Sequence, residues 1–226
     1  MKTQFALVLS LLAAAGLARA ADAPACCAVE KPAAAKDACC AAEAPKPAVA
    51  PCCAEEKATA PLTARSIYQL ESRFTDDAGR SAQLTSLRGQ PVMLAMFFAS
   101  CEYACPVLVS DIQRLRAELP AAVREKSRVV LVSFDTARDT PAALKAYRER
   151  MKLDGAWTLL HGDAASVQEL AMLLGVKYKQ DARGQFSHSN LITVLNPEGE
   201  ITHQRAGLMG DVSELAKAVV LVAAAK

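Results

Sequence analysis

The chain has 226 residues, of which 26 are basic, 24 acidic and 52% hydrophobic. Its first twenty residues contain Lys2 and Arg19 and no acid, so the remainder is formally neutral. A domain that holds nucleic acid by neutralising phosphates carries a clear basic excess, and that class is excluded.

In chain order, Lys2 precedes an apolar run from Phe5 to Leu17 and then Ala18-Arg19-Ala20. A basic start, a short apolar centre and an A-x-A exit predict a secretory signal over 1–20, cleaved after Ala20, and hence an exported, periplasmic protein. A spanning helix needs roughly 20 apolar residues. Arg19 interrupts this run early, so membrane association is expected only if the segment is retained as an anchor. The residues before Cys26 lack the bulky aliphatic side chain of a lipoprotein site.

From 21 to 60 the composition shifts to Ala, Pro, Lys and Glu with no aromatic residue. Such a segment buries too little apolar surface to offset chain entropy and is expected to be a disordered tether. It carries three cysteine pairs, Cys26-Cys27, Cys39-Cys40 and Cys52-Cys53, repeated every 13 residues. Adjacent cysteines close a strained ring when oxidised to each other. Each pair therefore suits an auxiliary soft-metal site or a bridge to another pair, against the simpler reading of a spacer with incidental thiol chemistry.

The remaining stretch, 61–226, has the size of one domain. Val92–Phe98 and Val129–Phe134 are short continuous apolar runs, as expected of strands buried on both faces. Between them Leu108, Ile112, Leu115 and Leu119 recur at helical spacing after Pro106. A second helix follows Arg138-Asp139-Thr140-Pro141, a run that reads as a capped helix start, with Leu144, Tyr147 and Met151 on one face. A third covers Ala164–Leu174. Asn190–Leu195 and Ile201–Arg205 flank Asn196-Pro197-Glu198-Gly199 as a hairpin, and a closing helix carries Leu215, Val219 and Val222. This order predicts a thioredoxin-like α/β fold, a three-layer sandwich around a mixed central sheet. Met93 and Met96 alternate with large apolar neighbours and are expected in its core.

The first apolar strand runs into Cys101-Glu102-Tyr103-Ala104-Cys105-Pro106 and then the helix. Reactive groups collect at the carboxyl ends of strands in such sheets. A helix start favours thiolate over thiol, so both cysteines are candidates for a redox dithiol or for soft-metal ligation. Dedicated oxidoreductases usually space their cysteines by two, whereas a three-residue gap leaves a wider mouth between the sulphurs. A purely structural disulfide is a weak alternative, because closing so short a loop removes little entropy.

The stretch Phe97–Pro106 resembles the CxxxCP loop of the SCO/SenC family of copper-binding cytochrome oxidase assembly proteins. Ser133–Pro141 is similar to that family's D-x-x-R-D-T segment, Trp157 to Tyr178 to its next helix and loop, and Ser187-His188-Ser189 to the place of its ligand histidine. The likeness covers roughly Ser66 to Ala223, with the motifs in the family's order. It implies Cys101, Cys105 and His188 as ligands of Cu(I) and also of Cu(II), with Asp135 as a nearby supporting acid. It further implies a client such as cytochrome c oxidase subunit II or another exported cuproprotein, which receives copper or has its thiols reduced. Two departures stand out: Glu102-Tyr103-Ala104 replaces the common Pro-Asp-Val, and Ser187 replaces the usual Asp. The expected function is that of a copper assembly factor rather than a turnover enzyme. The competing reading is a periplasmic thiol-disulfide oxidoreductase using the same Cys101 and Cys105. A peroxide-reducing relative of the fold would need a lone activated cysteine, which the paired loop argues against. His161, expected after a strand at Leu159-Leu160, and His203, on the hairpin's second strand, have no matching role and are expected to be ordinary surface residues.

Overall fold

The computed structural model describes residues 61–182 and 184–225. The expected signal and the cysteine-pair tether lie outside the described residues. No helix among the described residues is long and apolar enough to cross a membrane.

The chain first forms two short strands, β1 (Phe74–Asp76) and β2 (Ser81–Ala82), and then β3 (Val92–Phe97). Helices α1 (Ala104–Glu118) and α2 (Ala121–Lys126) lead to β4 (Arg128–Ser133), and α3 (Pro141–Met151) to β5 (Trp157–Gly162). After α4 (Ala164–Leu174) come β6 (Tyr178–Gln180), β7 (Phe186–His188), β8 (Leu191–Leu195), β9 (Ile201–Ala206) and α5 (Ser213–Ala224).

Seven strands form one mixed sheet in the order β2-β1-β5-β4-β3-β8-β9. Its centre is parallel: Val92 pairs with Arg128 and Phe97 with Ser133, and Val129 pairs with Trp157. β8 runs antiparallel to β3, Val92 opposite Leu195. All six residues of β3 are buried. Both faces of the central strand are therefore covered, which is why an uninterrupted apolar run suits it. Each large aliphatic side chain there contributes about 1.5–3 kcal/mol by leaving water. Met93 and Met96 are part of this core. Helix α5 packs against α1 and against β8 and β9, and α3 packs against β5 and β1.

Local chemistry sets the helix ends. Thr140 caps α3 by accepting the Ala143 N–H at 3.3 Å, and Pro141 takes the first turn. Asp163 caps α4 through the Ser166 N–H at 2.9 Å, and Gly175 ends it in the left-handed conformation. In the β8–β9 turn Gly199 has φ +84° and lies against the Tyr68 ring, so a side chain there would be both strained and obstructed.

Three elements depart from the sequence expectations. β5 continues through His161 because β1, too short to announce itself, pairs antiparallel with it, Thr75 opposite His161. His161 is thus a half-buried strand residue, not one on the surface beyond a strand. Helix α2 buries none of its six residues and so carries no apolar stripe to read. The segment between α4 and β8 folds as β6 and β7, a two-stranded antiparallel ribbon separate from the main sheet.

Candidate metal centre

β3 and β4 end side by side, the Phe134 N–H donating to the Phe97 carbonyl at 3.0 Å. The chain leaving β3 turns at Phe98, whose carbonyl accepts the Cys101 N–H at 3.2 Å, and enters α1 at Ala104. Cys105 lies in the first turn, fully buried, while Cys101 is half-buried beside it. Both are free thiols. No acid stands in the first turn of α1 to offset its positive end.

The two sulphurs are electrically unequal. The Cys105 side chain, hydrogen-bonded to Cys101, holds the Cys101 thiol down at about 5, with help from the Cys105, Tyr103 and Ala104 N–H groups against a desolvation penalty. The Cys105 N–H lies 3.2 Å from the Cys101 sulphur. The same bond, together with burial, pushes Cys105 well above the ordinary thiol range. At neutral pH the pair is one thiolate and one thiol, and the reachable sulphur is the charged one.

His188 comes from the ribbon, where it pairs with Tyr178. Its ring packs on Phe134 with centroids 4.9 Å apart and edge-on to Phe98 at 5.8 Å. Nδ1 lies 3.3 Å from the Ser189 carbonyl oxygen. A carbonyl only accepts, so this contact assigns the ring proton to Nδ1 and leaves the Nε2 lone pair facing the cysteines, 4.0 Å from the Cys105 sulphur. The donor atoms of Cys101, Cys105 and His188 all lie within 4.8 Å of one another. Donors about 2.0–2.3 Å from a shared ion stand roughly 3.5–4 Å apart, so a small closure would complete a three-donor site. Two sulphurs and an imidazole form a soft donor set. A cavity of about 580 Å³ opens over them, with Ser100, Glu102, Tyr103, Gln185, Phe186 and Asn190 in its wall.

Among the described residues, Asp135 forms no hydrogen bond or ion pair with any of the three donors. It is buried, accepts from Arg138 Nε at 2.5 Å and receives the Arg138 N–H at 3.2 Å. The carboxylate that reaches the cysteine loop is Asp139, which the sequence reading left inside a capped helix start. Its Oδ2 accepts the Ala99 N–H at 2.7 Å and the Ser133 hydroxyl at 2.5 Å. Burial pushes the Asp139 carboxyl up, against these two bonds. From the other side, Arg150 donates to the Ala99 carbonyl at 2.8 Å while lying over the Tyr147 ring. The backbone two residues before Cys101 is thereby held at both its N–H and its carbonyl. The only hint of this in the sequence was a second acid four residues after Asp135. His203 lies on β9 as expected and, like His161, is absent from the donor cluster. Cys26, Cys27, Cys39, Cys40, Cys52 and Cys53 lie outside the described residues.

The SCO1/SenC family model matches residues 62–223. A candidate copper-binding protein of Stutzerimonas stutzeri is 32% identical over 152 residues, covering 65% of this chain and 72% of the relative. A SCO1 protein homologue of Bacillus subtilis is 25% identical over 146 residues, covering 62% and 75%. The copper-bound crystal structure of Arabidopsis thaliana ScoI superposes with a TM-score of 0.58 at 20% identity, covering 67% of this chain and 94% of that one, a likeness of fold. The match spans both cysteines, the histidine and every strand and nearly all of every helix that positions them, and the chain belongs to the SCO1/SenC family.

Proposed function

We propose that the protein is an exported copper-binding assembly factor that receives copper at Cys101, Cys105 and His188 and passes it to the thiols of a client cuproprotein, of which the binuclear copper site of cytochrome c oxidase is the leading example. The observation that carries this reading is the convergence of two cysteine sulphurs and a correctly protonated imidazole at the mouth of an open cavity. Membership of the family and the Stutzerimonas relative support copper as the cargo.

Cu(I) is well served by two thiolates and an imidazole, and the same set also suits Cu(II); zinc lies below Cu(II) in affinity for such donors. Binding requires the Cys105 proton to leave, because Cys101 is already ionised at neutral pH. An incoming client thiolate can reach Cys101 through the cavity, while the buried Cys105 is shielded. Transfer is then stepwise ligand exchange, each protein–copper bond in turn replaced by a client–copper bond, with no net change in oxidation state.

The test is an anaerobic Cu(I) titration against a competing chelator, in the full chain with the six N-terminal cysteines replaced by serine. The expected result is one tight equivalent, lost in His188→Ala. Restoring the six cysteines and counting equivalents again measures what the pairs add.

The asymmetry of the dithiol favours a second reading. A half-buried thiolate beside a buried thiol is the arrangement of an attacking and a resolving sulphur, able to reduce a client disulfide through a mixed disulfide at Cys101. No tight copper equivalent in the parent, with dithiol exchange unaffected by His188→Ala, would replace copper delivery by disulfide reduction.

A further inference from the structure

Two donors of the metal centre are built into the core, and the third is not. Cys101 and Cys105 follow a fully buried strand, whereas His188 stands on a ribbon with no ladder to the seven-stranded sheet. An isolated two-stranded hairpin is marginally stable in water. What fixes this one therefore fixes the imidazole.

On one side the ribbon is held by rings. Phe186 meets Phe98 at 5.3 Å and Phe134 at 5.0 Å, and Tyr178 stacks on Phe134 at 5.1 Å. Such contacts hold a ribbon against a surface with little control of sliding or rotation. Besides the Tyr178 hydroxyl, which donates to Gln168 on α4 at 3.1 Å, a directional contact lies at the other end, where Arg138 reaches in three ways. Its Nε bonds to the buried Asp135 carboxylate, its Nη2 donates to the Gly184 carbonyl at 2.7 Å, and its guanidinium carbon lies 5.8 Å from the Phe186 centroid. Asp135 is itself anchored where β4 ends, its N–H on the Ser133 hydroxyl at 3.0 Å. Gly184 closes the ribbon's turn, its N–H on the Asp181 carbonyl at 3.0 Å and its carbonyl also accepting from Gln180 at 3.2 Å.

We propose that Arg138 is a positioning residue for His188: by bridging the buried Asp135 carboxylate to the Gly184 carbonyl, it sets the ribbon against the core and so places the imidazole over the two sulphurs. This assigns Asp135 a role at one remove, as the anchor of the arginine. Only a planar fork with several fixed donors makes both bonds at once. A lysine ammonium keeps the charge beside Asp135 and cannot span to Gly184 in the same geometry. For copper handling, the proposal rests on the copper reading above. Its structural part does not.

The experiment uses the full chain with the six N-terminal cysteines as serine, comparing the parent, Arg138→Lys, the double variant Asp135→Asn/Arg138→Met and His188→Ala. In the metal-free reduced protein, hydrogen exchange of the 186–188 amides should be about tenfold faster in Arg138→Lys than in the parent, the effect of losing one charge-assisted bond, while the melting temperature holds. With copper, the Cu(II) hyperfine pattern should move from the parent's toward that of His188→Ala, and release of Cu(I) to a chelator should quicken by about tenfold. The double variant removes the buried charge along with its partner and should behave in the same way, so a misfolded Arg138→Lys does not remove the test.

Unchanged ribbon exchange in both variants overturns the proposal. So does faster exchange with the parent's copper spectrum and release rate, which would make the bridge purely structural. If the parent itself takes up no copper, faster exchange still supports the bridge, and the failure falls on the copper reading alone.

Discussion

Removing the Cys105 side chain as Cys105→Ala should bring the Cys101 thiol part of the way back toward ordinary behaviour. In the parent, Cys101 is held at about 5, and its largest support is the hydrogen bond from Cys105. A thiol with an ordinary pKa of about 8.5 is roughly 3% ionised at pH 7, whereas one near 5 is roughly 99% ionised. The backbone N–H groups of the α1 start remain in the variant, so the expected rise is of more than one pH unit without full recovery. The assay is alkylation by iodoacetamide over a pH series, quenched and followed residue by residue by mass spectrometry. A companion measurement is the proton count on metal uptake: at pH 7 the parent should release about one proton per copper, from Cys105 alone, where two ordinary thiols would release about two. A parent midpoint in the ordinary thiol range, or a midpoint unmoved by Cys105→Ala, would refute the electrostatic account of the pair.

Further outcomes follow from two buried carboxylates, Asp111 and Asp139. Asp111, 2% exposed on α1, accepts from Arg114 at 2.6 Å, Arg205 at 2.7 Å and the Met209 N–H at 2.8 Å; Asp111→Asn should cost about 1–3 kcal/mol in denaturant unfolding, since it weakens charge-assisted bonds to two arginines that retain contact with water. These bonds hold its carboxyl below the usual range despite burial, so its stabilisation should be present above the ordinary carboxylate pKa and disappear as pH falls through the lowered folded value. Asp139 has the opposite sign: burial raises its pKa, so its contribution weakens stability as pH climbs from the ordinary carboxylate range to the raised folded value. Asp139→Asn retains an oxygen for the Ala99 N–H and should be at least as stable as the parent at neutral pH, whereas Asp139→Ala should lose about 1–3 kcal/mol by orphaning that donor. Because Asp139 also helps to raise Cys105, Asp139→Asn should hold copper to a lower pH in a chelator competition.

Legibility in the sequence followed the size of the physical signal. β3 and the helix after the cysteines announced themselves by an unbroken apolar run and a helical stripe, and α4 by a stripe between an aspartate cap and a glycine stop. β1 and β2, three and two residues long, are strands only through their pairing, β1 with β5 and β2 with β1. The His188 ribbon has little apolar alternation, since its inward contacts are made by rings at Tyr178 and Phe186 separated by a polar turn. The long-range contacts of Asp139 and Arg138 were hidden for a related reason. Their partners, Ala99 and Gly184, lie 40 and 46 residues away, and a capping run at 138–141 explained both residues without reference to either. Family likeness, not local pattern, singled out His188 from three histidines, and the structure brings it beside Cys101 and Cys105.

Cys105 and His188 lie 83 positions apart along the chain. Their meeting closes a long loop, and a contact of that span carries a loop-closure cost that the neighbouring Cys101 and Cys105 do not meet. A partly folded chain therefore presents two neighbouring sulphurs and no imidazole beside them. Tight capture of an ion becomes a property of the finished fold, and the ion in turn holds that fold together by favouring it over every opened form.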